Sequence, residues 1–137
     1  MNSLVLRDGA LFLLRAVLGI VFIAHGVDKM FFPSIDDTIG QFALWNVPQP
    51  QVLAWAAALG EMIGGAMLIV GFLTTLAAGL LAVLCAAAIY LVNAGNGFFA
   101  HEQGIEFPLV LAVSLLMIVV FGAGRASLDE VLSRVDA

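Results

Sequence analysis

One stretch constrains this chain more than any other: the first apolar run, residues 11–32, LFLLRAVLGIVFIAHGVDKMFF. About 20 apolar residues at ~1.5 Å rise cross the hydrocarbon core of a bilayer, and this run is long enough. It also carries Arg15, His25, Asp28 and Lys29, which a simple anchor would avoid. At ~100° per residue, Arg15, Phe22, Gly26 and Lys29 share one stripe. His25 lies at the edge of that stripe and Asp28 further round. An ionisable group facing lipid costs ~2.5–3.5 kcal/mol on insertion scales. These groups should therefore face protein, a cavity or one another, and the other apolar runs must supply their partners.

The rest of the composition agrees with a membrane chain. Of 137 residues, 63% are hydrophobic and 11% charged, too few polar residues to cover a soluble surface. The length suits a single membrane domain over 1–137. A net charge of −5 gives no basic footprint for nucleic acid. Cys85 is the sole cysteine, so neither an intramolecular disulfide nor a CxxC redox pair can form. The first run is too long for the h-region of a cleaved signal peptide and contains Arg15, so it reads as a retained helix.

The pattern predicts four membrane helices, at about residues 10–32, 51–72, 74–93 and 108–123, forming an all-α bundle. Pro33 ends the first. Ile35, Ile39 and Phe42 recur at helical spacing opposite Asp36, Asp37 and Gln41, which predicts a short interfacial helix over 35–44, with Trp45 at headgroup depth. The second apolar segment holds Glu61 near its middle, flanked by Gly60, Gly64 and Gly65, small residues that allow close helix approach. A very short connection predicts a tight hairpin with the third segment, which is alanine-rich and uncharged. The loop after it carries Asn96, His101, Glu102 and Glu106, and Pro108 opens the fourth segment. In the tail, 124–137, Ser127-x-x-Glu130 reads as a capping box for a short surface helix. Arg7, Arg15, Arg125 and Arg134 favour both termini in the cytoplasm, with 33–50 and 94–107 outside.

In that topology Glu61 sits at a depth between His25 and Arg15. Its expected partner is one of these two, directly or through one water, while Lys29 could reach it by bending inward. Each cation also has a plain reading. Arg15 could snorkel to headgroups, Lys29 and Asp28 could be solvated at the interface, and His25 could be a satisfied packing residue. Glu61 has no route to water and marks a polar site or a structural ion pair. His25 and His101 are the only histidines, at different expected depths, so neither haem nor a metal centre is expected. No phosphate-binding loop or nucleophile triad is visible.

Together these residues resemble the DoxX family of small bacterial membrane proteins. The resemblance rests on Arg15, Gly19 and Phe22, then His25-Gly26-x-x-Lys29, Gly60-Glu61-x-x-Gly64-Gly65, Asn96-Gly97-Phe98-Phe99, Glu106-Phe107-Pro108 and Gly124-Arg125-x-Ser127-Leu128-Asp129. The chain departs at Thr75, where many relatives have arginine. The resemblance implies a four-helix bundle in the bacterial inner membrane, associated with oxidoreductase systems and with a soluble or membrane redox partner. It points to a subunit of an oxidoreductase rather than a self-sufficient enzyme. The leading expectation is an intramembrane site for quinone or another small amphipathic molecule, lined by Glu61, His25 and Arg15 and shaped at its mouth by Lys29, Asn96 and Glu106. Two alternatives remain open. One is a non-enzymatic membrane partner or assembly protein whose polar cluster fixes helix packing; a homo-oligomer is a separate partner expectation. The other is a small-solute binding or permeation protein.

Overall fold

The computed structural model describes residues 3–32, 34–99, 101, 104–122 and 128–136, with the backbone alone at 3, 4, 94 and 134–136. Pro33, Glu102, Gly124, Arg125 and the Ser127 cap lie outside the described residues. Helix α1 runs Ser3–Phe31, α2 Ile35–Leu44, α3 Pro50–Val70, α4 Thr74–Ala88, α5 Glu106–Phe121 and α6 Leu128–Asp136. Three helical stretches are long and apolar enough to cross a membrane: Val5–Phe31, Pro50–Val70 and Thr74–Asn93. The shorter apolar α5 completes the helical membrane bundle. Its 16 residues span only ~24 Å at ~1.5 Å per residue.

Helix α1 starts well before residue 10 because Leu4, Val5 and Leu6 extend its apolar pattern, and one glycine, Gly9, costs only ~1 kcal/mol. Ser34 caps α2, its Oγ accepting the Asp37 amide, and Asp36 and Asp37 occupy the first turn, where the helix dipole favours acids. Pro50 opens α3, where its missing N–H costs nothing. Helix α4 does not end cleanly. It widens into a π-helical turn, Ile89–Asn93, followed by a 3-10 turn, Ala94–Asn96.

The helices form a ring in the order α1, α3, α4, α5. The apolar centre contains Leu18, Phe22, Leu68, Leu81, Cys85, Leu111, Leu115 and Ile118. Helices α1 and α3 touch along glycines. A methyl placed on Gly65 would stand 2.6 Å from the Gly19 carbonyl oxygen, and one on Gly26 would stand 2.7 Å from the Ala58 carbonyl oxygen. Gly60 and Gly64 face the other way, toward Leu84 and Leu81 of α4. The glycine cluster thus works on two sides: Gly65 admits α1, and Gly60 and Gly64 admit α4.

The α3–α4 hairpin is closed by residues far away in the chain. Gly71 takes the left-handed conformation at φ 75°, and the amides of Gly71 and Phe72 return to the Met67 carbonyl. The neighbouring Leu68 carbonyl accepts Arg15 Nη1 at 3.1 Å. Arg15 is fully buried and its guanidinium also lies 5.5 Å from the Phe12 ring centre. Across the turn, the Asp129 carboxylate accepts the Leu73 and Thr74 amides at 2.7 and 2.8 Å, and the Asp129 amide donates to Gly71 O at 2.8 Å. Arginine at a helix C-terminus and aspartate at a helix N-terminus both oppose the local dipole. Arg15 is therefore not beside Glu61 as expected. Its side chain leans toward the start of α1, as helical side chains do, and so reaches the hairpin instead.

Asp129 also makes the docked tail acid-sensitive. Burial alone would raise its carboxyl pKa, but the Thr74 side chain and amide, the Leu73 amide and the Arg15 charge outweigh burial and hold it below the ordinary value. A carboxyl lowered in the folded state stabilises fully above its unfolded pKa of ~3.9, and that contribution disappears as pH falls through the lower folded value. Hydrogen-exchange protection over residues 128–136, taken relative to the intrinsic rate at each pH, should thus be high at neutral pH and fall below about pH 4. In Asp129→Asn, protection should already be low at neutral pH and should lose this acid step.

Candidate functional site

At the end of the bundle opposite the hairpin lies an open cavity of about 400 Å3. Its walls come from α1 (His25, Lys29), α3 (Leu53, Ala57, Glu61), α4 with its π turn (Leu84, Leu91, Asn93) and the start of α5 (Phe107, Pro108). Helix α2 and the turn after it lie across the mouth and contribute Phe42, Trp45 and Val47. An adjoining space of about 180 Å3 shares Lys29, Glu61 and His25 and continues inward to Phe22, Cys85 and Leu111. The lining is apolar except for a few groups, the usual make-up of a small-molecule site.

The main polar feature is an ion pair. Lys29 Nζ donates to both Glu61 oxygens, at 2.9 and 3.2 Å. The two side chains are 24% and 14% exposed, so the pair is held in the cavity wall rather than on the surface. The glycine contacts place Gly26 against Ala58 and Met62, which brings Lys29 and Glu61 onto facing turns. Helical side chains lean toward the N-terminus of their own helix. On antiparallel α1 and α3, Lys29 therefore leans inward and Glu61 leans outward, and the two meet. His25, closer in depth by residue count, leans inward by the same rule. The expected pairing with His25 or Arg15 is thus replaced by the inward-bending lysine. His25 still lines the cavity, and its ring lies 5.4 Å from that of Phe107.

Lys29 is also tied to the mouth, since the Thr38 hydroxyl of α2 donates to the Lys29 carbonyl. Trp45 and Phe42 pack with ring centres 6.0 Å apart. Opposite them, the π turn points Asn93 into the cavity, where its Nδ2 donates to Gly104 O at 3.2 Å. The loop holding Gly104 is tight: the amides of Gly104, Ile105 and Glu106 return to Phe99, Gly97 and Phe98. A methyl on Gly104 would stand 2.6 Å from Gly97 O. The loop itself presents Phe98, Phe99 and His101, with His101 stacked 5.7 Å from Phe99.

The structure thus brings together three of the six expected site residues, Glu61, Lys29 and His25. Arg15 is at the far end. Asn96 is exposed, with its Nδ2 on Val92 O at 3.2 Å, and Glu106 lies in the first turn of α5 outside the lining. The loop shapes the mouth through Gly104 and Phe107 instead. Sequence reading missed Asn93, Phe107 and the lining role of Trp45. Asn93 reads as a span boundary, Phe107 as one aromatic among many, and Trp45 as a headgroup anchor. Among the described residues, no three His, Cys, Asp or Glu side chains come together as a metal-ligand group.

A helical bundle of membrane-spanning length, with an apolar cavity walled by one ion pair, defines the chain as an integral membrane protein with a candidate small-molecule site. The DoxX family model matches residues 10–94, and the chain belongs to the DoxX family. It is 32% identical over 131 residues to an "Uncharacterized protein" of Haemophilus influenzae, covering 92% of this chain and 85% of that one. It is 29% identical to the "Putative oxidoreductase CatD" of Bacillus subtilis, with 85% and 82% covered. It is 26% identical to an "Uncharacterized membrane protein" of Mycobacterium tuberculosis, with 88% and 80% covered. No solved structure matches the chain.

Proposed function

We propose that this protein is a membrane subunit of a redox system that binds quinone, or a similar small amphipathic molecule, in the cavity beneath α2. The observation that carries this reading is the Lys29–Glu61 pair set in an otherwise apolar wall of a cavity of about 400 Å3. That volume lies within the usual range of ~300–1,000 Å3 for small-molecule sites. A quinone needs an apolar slot, a donor for a carbonyl oxygen and groups that carry protons. Phe42, Trp45, Leu53 and Leu91 supply the slot, Lys29 the donor, and Glu61 and His25 the proton carriers. Reduction to quinol takes up two electrons and two protons, the electrons coming from a redox partner protein. The name of the Bacillus subtilis relative supports the oxidoreductase association.

The protein sits in the bacterial cytoplasmic membrane with both termini inside, on the distribution of Arg7, Arg15, Arg125 and Arg134. The cavity then opens toward the outer face. Mass spectrometry of the full chain purified in mild detergent should find a quinone in stoichiometric amount. Glu61→Gln keeps the shape and removes the charge, so it should fold yet lose the bound quinone and restore no activity in complementation. Full activity in Glu61→Gln, with only thermal stability reduced, would make the pair a packing device that locks α1 to α3 and would remove the central residue from this reading.

A further inference from the structure

We infer that the ligand enters the cavity sideways from the lipid, through the seam between α1 and α5, and that Phe107 together with His25 forms the gate. This rests on the proposed reading of the cavity as a small-molecule site. The seam changes character along its length. Toward the hairpin, Phe22, Leu111 and Leu115 belong to the buried apolar core. At the level of His25 that packing stops. His25 is exposed, and Phe107 is 42% exposed, although both also line the cavity. Both residues thus face the cavity on one side and the outside on the other.

The cause lies in helix length. Helix α1 has 29 residues and α5 only 16. Helix α5 begins at Glu106, so its first turn is all that flanks α1 at the cavity end. Above that turn α1 has no helical neighbour from α5. The two rings that remain, with centres 5.4 Å apart and tilted by 43°, are held by ring contact. A ring contact of this kind is weak enough for a rotamer change to break it on a fast timescale. Behind the gate stands the Lys29–Glu61 pair, so an amphipathic molecule arriving from the lipid meets the polar groups first with its head, while its tail stays in the bilayer. Helix α2 lies across the axial mouth with Phe42 and Trp45, and the seam beside it offers an apolar route.

Trp45 in the cavity wall provides the reporter. The full chain carrying Trp55→Phe and Cys85→Ala is placed in lipid nanodiscs, decylubiquinone is added, and quenching of Trp45 is followed by stopped flow. Into this background His25→Cys and Phe107→Cys are introduced and joined by a short cleavable thiol cross-linker. Joining the gate should slow quenching about tenfold or more, the scale expected when binding must wait on a closed path. Cleaving the linker should restore the rate. An unchanged rate in the joined protein overturns the gate and leaves the cavity reading intact. Absence of quenching in the parent overturns both. Should the paired variant fail to accumulate, Phe107→Ala answers the same question: entry and exit should both accelerate about tenfold, and unchanged rates overturn the proposal.

Discussion

Lys29→Glu is expected to abolish accumulation of the folded protein, and adding Glu61→Lys in the same chain is expected to recover more than half of it. The single change sets two carboxylates where a bidentate ion pair now stands at 2.9 and 3.2 Å. Removing one partner of a buried pair typically costs ~3–5 kcal/mol, because the other charge is left without compensation. Here the side chains are 24% and 14% exposed, so the loss belongs toward the lower end of that range. Even so, it is a large share of the ~5–15 kcal/mol that holds a typical domain together. The double reversal restores opposite signs on the same facing turns. Its recovery is incomplete because the leans of the two side chains suit a lysine on α1 and a glutamate on α3. Thermal melts of detergent-solubilised protein, monitored by size exclusion, would read the outcome. If the double variant melts no higher than the worse of the two single reversals, the two charges are not coupled.

The second large effect is steric. Gly19→Ala and Gly65→Ala should each cost ~2–3 kcal/mol, at the upper end of ordinary overpacking. Each new methyl would meet a backbone carbonyl of the other helix at 2.6 Å, and a backbone cannot rotate away as a side chain can. Helices α1 and α3 would have to separate, opening the facing turns that bring Lys29 to Glu61. Two other glycines serve as controls. Among the described residues nothing lies within 4 Å of a methyl at Gly9 or Gly79, so alanine there should be neutral or should gain up to ~1 kcal/mol from helix propensity. Melting temperatures of the four variants should fall into two groups. A uniform response would mean that close approach at Gly19 and Gly65 is not what holds α1 on α3.

What could be read in the sequence follows the physics of each residue. Glu61 declares itself because a charge amid apolar residues and glycines has few bland explanations. The short α2, the tight hairpin and the four apolar segments follow from periodicity and from Gly and Pro punctuation. The partner of Glu61 did not follow, since counting residues gives the depth of a Cα and says nothing of the direction in which the side chain leans. That lean moves Lys29 inward and Arg15 toward the hairpin. Asp129 looked like an ordinary acid at the start of a surface helix. Its partners are 55 and 56 residues distant, beyond any local pattern. The π turn that turns Asn93 inward has no periodic signature, because one widened turn does not disturb an apolar run of alanines and leucines.

The long reach of Asp129 has a temporal consequence. While the chain is being made, the α3–α4 hairpin is complete well before its cap exists. The donors at Leu73 and Thr74 must wait for a residue 55 or 56 positions downstream. At ~5–20 residues per second, that interval is on the order of 3–11 s. During it the start of α4 must rely on water or lipid headgroups, and the insertion machinery holds a hairpin whose turn is still open. A quality-control protease that attacks exposed turns would therefore have its chance in this interval, and any change that slows arrival of Asp129 should raise turnover of the nascent protein without altering the stability of the finished one.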